Sequence, residues 1–103
     1  MVAHSRIEPQ RKQIEAFCKK YGVAELSLFG SILREDFGPE SDVDVLIALE
    51  PAQSMTLEKY MDMHDELSAM FGGREIDLVQ KRLLKNPFRR QEILSTREVL
   101  YGA

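Results

Sequence analysis

The run Asp42-Val43-Asp44-Val45-Leu46-Ile47-Ala48-Leu49 constrains this chain more than any other stretch. Side chains alternate faces along a strand. Val43, Val45, Ile47 and Leu49 then share one face; Asp42 and Asp44 share the other, followed by Leu46 and Ala48. Two carboxylates therefore stand at one end of a strand whose remainder is apolar on both faces. Their Cα atoms would lie about 7 Å apart, close enough for leaning side chains to meet on one cation. Two anions in a partly buried site repel until one takes a proton or a cation binds between them. Oxygen-only ligands suit Mg²⁺ or Mn²⁺. Zinc is disfavoured, because no Cys/His cluster has the required spacing.

The rest of the chain supplies partners for that strand. Ile7, Ile14, Phe17, Cys18 and Tyr21 form a helical stripe over about Glu8–Tyr21, with Gly22 as its stop. Leu26 and Leu28 alternate with Glu25 and Ser27, which predicts a strand over Val23–Phe29. A short helix over Ile32–Asp36 and a loop over Phe37–Ser41 lead into the Asp42–Leu49 strand. Leu57, Tyr60, Met61, Leu67, Met70 and Phe71 predict a long helix over Thr56–Phe71, with His64 on the same stripe and Gly72-Gly73 at its end. Ile76–Val79 is a third strand. Asn86-Pro87 caps a last helix through about Leu94, and Val99–Tyr101 is a candidate edge strand. The expected fold is α/β (α+β), a single mixed sheet with helices packed on it, in one domain over residues 1–103.

Two further motifs bear on chemistry. In Glu75-Ile76-Asp77-Leu78-Val79, Asp77 faces away from Ile76 and Leu78. If its strand neighbours the Asp42 strand, Asp77 completes a three-carboxylate site able to hold two metal ions, and it is the natural general base. Phe29-Gly30-Ser31 lies at a strand-to-helix junction. Gly30 lets backbone come close to a ligand. The first amides of the helix and the Ser31 hydroxyl would make an anion site suited to phosphate, within reach of Arg34 one turn on.

Composition narrows the function. The net charge of −3 argues against broad binding to nucleic-acid backbones but leaves a nucleotide open. No apolar run is long enough to span a bilayer, and Met1–Arg11 lacks a signal-peptide centre. A cytoplasmic location with no membrane partner is the expectation. The single cysteine, Cys18, reads as a small core or edge residue, His64 as a core or edge histidine, and His4 as part of a frayed terminus. Lys81, Arg82, Lys85, Arg89 and Arg90 read as a solvated basic face, or as a dock for an acidic partner.

The stretch Leu28–Ile47 resembles the signature of the DNA polymerase β-like nucleotidyltransferase superfamily, Gly-Ser followed after a spacer by Asp-x-Asp. Its Ser-Asp-x-Asp ending and small size are similar to the minimal nucleotidyltransferase (MNT) group. The resemblance implies a polymerase β-like core. It implies Gly30 and Ser31 at the nucleotide phosphates, Asp42 and Asp44 as metal ligands, and Asp77 in the third acidic position. It also implies ATP as substrate with Mg²⁺, two ions, and a HEPN-type ribonuclease toxin as partner, AMP passing to a toxin tyrosine so that the protein acts as an antitoxin. Neutralisation of a partner by occlusion, and nucleotidyl transfer to a small molecule, are the alternatives. The long helix and the C-terminal segment are the stretches able to supply a subunit contact.

Overall fold

The computed structural model describes residues 11–33, 38 and 41–102. Helix α1 covers Arg11–Tyr21, α2 Leu57–Met70 and α3 Pro87–Thr96. Strands β1 (Val23–Phe29), β2 (Val43–Leu49), β3 (Ile76–Gln80) and β4 (Glu98–Tyr101) form one sheet in the order β3-β2-β1-β4. β2 runs antiparallel to β1 and parallel to β3, and β4 is antiparallel to β1 at the edge. The sheet is thus mixed, with helices packed on it, as expected. The expected first turn at Glu8–Gln10 lies outside the described residues, as does His4.

Both faces of the sheet are covered, unequally. Leu26 and Leu28 of β1, Val43, Val45 and Ile47 of β2, and Ile76 and Leu78 of β3 pack against α1 and α2 in the main core. Phe29, Leu46, Leu84 and Ile93 form a smaller cluster under α3 on the other face. Burial is worth about 1.5–3 kcal/mol for each large apolar side chain, so the first face carries most of the stability. The helices are tied down by polar contacts as well. Glu66 on α2 accepts from the Tyr21 hydroxyl and Lys20 Nζ, both at 2.9 Å. The Tyr60 hydroxyl donates to Leu78 O at 3.0 Å. Thr56 Oγ1 caps α2 by accepting from Lys59 N, and Asn86 Oδ1 caps α3 by accepting from Phe88 N and Arg89 N.

Three sequence readings change. The buried residues of α2 are Met63 and Leu67, whereas Leu57 and Met61 are 77% and 55% exposed. The stripe is rotated because methionines occupy several sides of this helix and pattern alone does not say which is covered. The turn after β1 is a 3₁₀ element over Gly30–Leu33, not a helix beginning at Ile32. Its expected continuation to Asp36 lies outside the described residues. Two members of the basic segment are structural. Lys81 Nζ and Arg97 Nη1 both donate to Glu25 Oε1, at 3.2 and 3.1 Å, and Arg90 Nη1 donates to Lys81 O at 3.1 Å. Burial alone would raise the Glu25 carboxyl, but the hydrogen bonds from Lys81 and Arg97 outweigh it and hold the group below the usual carboxylate range. Cys18 is buried, and burial pushes its thiol up to about 12, which leaves it inert as a nucleophile.

His64 is half-buried, its Nε2 lying 3.0 Å from Glu75 Oε2 and its Nδ1 3.1 Å from Asp65 Oδ1. The hydrogen bonds to Glu75 and Asp65 raise its pKa above the ordinary 6.5. A raised histidine stabilises the fold fully below its unfolded value and loses that contribution as pH rises through the folded one. The advantage of the native protein over His64→Ala in urea unfolding should therefore shrink as pH climbs from about 6 upward. A pH-independent difference would show that the bridge contributes nothing through charge.

Candidate active site

Pairing between the strands sets three residues in one row. Phe29 of β1 is opposite Asp44 of β2, and Asp44 is opposite Asp77 of β3. Directly opposed residues share a sheet face, so Asp44 and Asp77 lie on the α3 face, on neighbouring strands about 4.8 Å apart. The main-chain bond from Val43 N to Glu75 O, at 2.9 Å, starts that pairing. Asp44 is half-buried and Asp77 exposed. Asp42 precedes the strand, because β2 begins at Val43, and it too is exposed. The three aspartates therefore reach the same sheet edge, Asp42 from the connecting loop and not from the strand ladder.

Gly30 brings the backbone into contact with that row. Its φ is +77°, which favours glycine. A Cβ built on it would collide with Asp44 Oδ2 and stand 3.1 Å from Asp44 Cγ. The Asp44 carboxylate thus lies directly over the Gly30 backbone, in the space that any other residue would fill. The Ser31 side chain and Arg34 lie outside the described part of the structure.

Among the described residues, no group of three or more His, Cys, Asp or Glu side chains is placed to hold a metal ion, Asp42, Asp44 and Asp77 included. The described carboxylates make a partial, all-oxygen donor set. That does not fit a closed zinc site. It fits Mg²⁺, which binds through one or two carboxylates and takes its other ligands from water and substrate phosphates. The cradle formed by Gly30 and Asp44 is where phosphate and cation could meet without a side chain between them.

One residue that holds the site together carried no signal in the sequence. Arg74, just ahead of β3, donates from Nη1 to Gly38 O at 2.7 Å and to Ser41 O at 3.1 Å. Its own carbonyl accepts from the Ser68 hydroxyl of α2 at 2.6 Å. Helix α2 thereby fixes Arg74, and Arg74 fixes the segment that delivers Asp42. Beside the row, a cavity of about 460 Å³ opens between the Gly30–Leu33 turn and α3, with Leu33, Arg89, Glu92, Ile93 and Thr96 on its walls.

The fold is that of a small α/β domain with Asp44 and Asp77 side by side near the starts of two parallel strands. The sequence pattern of the nucleotidyltransferase domain family matches residues 10–100, and the chain belongs to that family. The protein adenylyltransferase MntA of Thermococcus cleftensis is 35% identical over 83 residues, which span 81% of this chain and 78% of that protein. A solved structure of a candidate minimal nucleotidyltransferase is 29% identical with a TM-score of 0.67, covering 86% of this chain and 85% of that one. The fold is shared at 18% identity, with a TM-score of 0.61, by a chain of the complex between a tri-AMPylated Shewanella oneidensis HEPN toxin and its MNT antitoxin. That match covers 90% of this chain and 70% of its counterpart.

Arg74 donates to carbonyl oxygens of the segment before Asp42. Arg74→Ala should keep the sheet and weaken Mg²⁺–nucleotide binding about ten- to hundredfold, as removal of groups that orient metal ligands does. Calorimetric titration checks this. Affinity equal to that of the native protein would mean that the segment before Asp42 needs no such anchor.

Proposed function

We propose that this chain is a single-domain protein adenylyltransferase that, with Mg²⁺ or Mn²⁺, moves AMP from ATP to a tyrosine hydroxyl of a HEPN ribonuclease toxin and so acts as its antitoxin. The observation that carries the reading is the contact of the Asp44 carboxylate with the Gly30 backbone, in one row with Asp77. Family membership and a relative named as a protein adenylyltransferase support it.

Each residue then has a task. The backbone at Gly30 and Ser31 receives the triphosphate, and Arg34, one turn on, is suited to the same phosphates. Asp42 and Asp44 would hold the divalent cation, which would take its other ligands from water and the phosphates. The cation, when bound, neutralises charge on the phosphate oxygens as the leaving group departs. Asp77 stands on the exposed side of the row, where an acceptor hydroxyl can approach. Its carboxylate takes the hydroxyl proton. The acceptor oxygen bonds to the α-phosphorus as the bond from that phosphorus to the bridging oxygen of the β-phosphate breaks, and pyrophosphate leaves. The acceptor becomes a phosphodiester of AMP.

ATP labelled at the α-phosphate, Mg²⁺ and an extract of the cells that make the protein provide the test. A labelled polypeptide is expected, with labelling lowered about a hundredfold or more in Asp44→Asn. Mass spectrometry of that band identifies the tyrosine. Native protein that captures a HEPN partner yet labels nothing would replace transfer with neutralisation by occlusion. Saturating Mg²⁺ and ATP should also stabilise the native fold, by about 2.7 kcal/mol at a hundred times Kd. An unmoved melting temperature would remove the nucleotide site.

A further inference from the structure

We infer that the cavity between the Gly30–Leu33 turn and α3 receives the nucleoside half of the substrate, Glu92 accepting a hydrogen bond from it and Arg89 lying against its base. The inference deepens the reading above and rests on it.

Continuity comes first. The cavity beside Gly30 can be set against two others on the described surface. One is walled by Ile47, Met55 and Arg82 at the opposite ends of β2 and β3, and another by Arg11 and Tyr101 beside β4. Neither contains a residue of the acidic row or its turn. The α3 cavity contains Gly30 itself, the residue over which the Asp44 carboxylate lies. A triphosphate seated at that turn continues into it. In-line displacement puts the acceptor and the pyrophosphate on opposite sides of the α-phosphorus. The nucleoside, joined through its 5′ oxygen, has to leave to the side, and this is the space beside the turn.

The walls suit such a ligand. About 460 Å³ falls within the roughly 300–1,000 Å³ of small-molecule sites, which combine apolar walls with a few placed polar groups. Phe29 and Ile93 are almost fully buried and form the apolar floor with Leu33. Arg89, Glu92, Ile93 and Thr96 stand at offsets of three, four and seven residues, a single face of α3. The Thr96 hydroxyl donates to Glu92 O at 2.7 Å, which holds its side chain against the helix.

The charges carry the argument furthest. Arg89 and Glu92 are opposite in sign and three residues apart, a spacing at which helix neighbours commonly pair. Among the described residues, neither the Arg89 guanidinium nor the Glu92 carboxylate has a hydrogen bond or ion pair, with each other or elsewhere. Both line the same cavity. A carboxylate only accepts, and adenosine offers the ribose hydroxyls and the exocyclic amino group of its base as donors. A planar guanidinium stacks on an aromatic base.

Binding distinguishes the nucleoside from the phosphates. Glu92→Ala and Arg89→Ala alter exposed positions of a short helix, where alanine suits the backbone. Each should weaken Mg²⁺–ATP by about tenfold and leave Mg²⁺–tripolyphosphate unchanged. The native protein should lose affinity for either 2′-deoxyATP or purine riboside triphosphate, and Glu92→Ala should lose no more for that same analogue, which names the donor Glu92 reads. Variants that weaken ATP and tripolyphosphate equally, or neither, overturn the inference. So does a variant that binds ATP normally but labels the acceptor poorly, since the cavity would then belong to the acceptor. Native protein that binds tripolyphosphate as tightly as ATP overturns this inference alone, and native protein that binds neither overturns the active-site reading beneath it.

Discussion

The register of β2 between its two neighbours is the constraint on which the rest depends. β2 runs parallel to β3, which requires a crossover, and α2 is that crossover. Parallel pairing brings the starts of β2 and β3 to the same edge. Antiparallel pairing brings the end of β1 there as well. Asp44, Asp77 and Gly30 thus come together from three separated stretches of chain. Val43, Val45 and Ile47 fix this arrangement, since all three are buried against α1 and α2. A slip of one residue would turn Asp44 into that core and the valines out of it. Hydrophobic burial on one face is therefore what places the carboxylate on the other.

The unequal cover of the two faces follows the same division. The α1–α2 side is continuous and holds most of the buried apolar side chains. Among the described residues, the α3 side has Phe29, Leu46, Leu84 and Ile93 at its centre, with Val79 and Leu94 against them. A second full layer there would bury Asp42 and Asp77, and taking carboxylates out of water is costly. The short α3 closes the apolar part of this face and stops beside the acidic row. The cavity it leaves is bounded by its own polar side chains.

Legibility in the sequence tracked how local the cause was. Val23–Phe29 could be read because strand alternation between two glycines is written in consecutive residues. The Asn86-Pro87 start of α3 was equally local. Neighbouring of β2 and β3 could be stated only as a condition, because pairing between distant strands leaves no mark in either, and the structure meets that condition. The buried side of α2 was misjudged at Leu57 and Met61 because an apolar side chain declares its chemistry and not its cover. Arg74 was silent because the loop groups it holds at Gly38 and Ser41 are main-chain carbonyls, which every residue possesses. The strand position of Asp42 failed by one residue, because the ladder begins at the Val43 amide.

The same reasoning accounts for the basic segment. Residues 81–90 contain five of the 14 basic side chains of the chain and none of its 17 acidic ones. In sequence this reads as a solvated basic face, or as a dock for an acidic partner. In the fold its members separate. Lys81 is drawn onto Glu25 of β1, and Arg90 is spent on the carbonyl of Lys81, so both belong to the junction between β3 and α3. Arg89 lines the cavity next to Gly30. Arg82 and Lys85 are left in solvent. A run of like charges thus serves as two structural ties, a wall of the cavity at Gly30 and two exposed groups, and a chain of net charge −3 keeps a cation beside that turn.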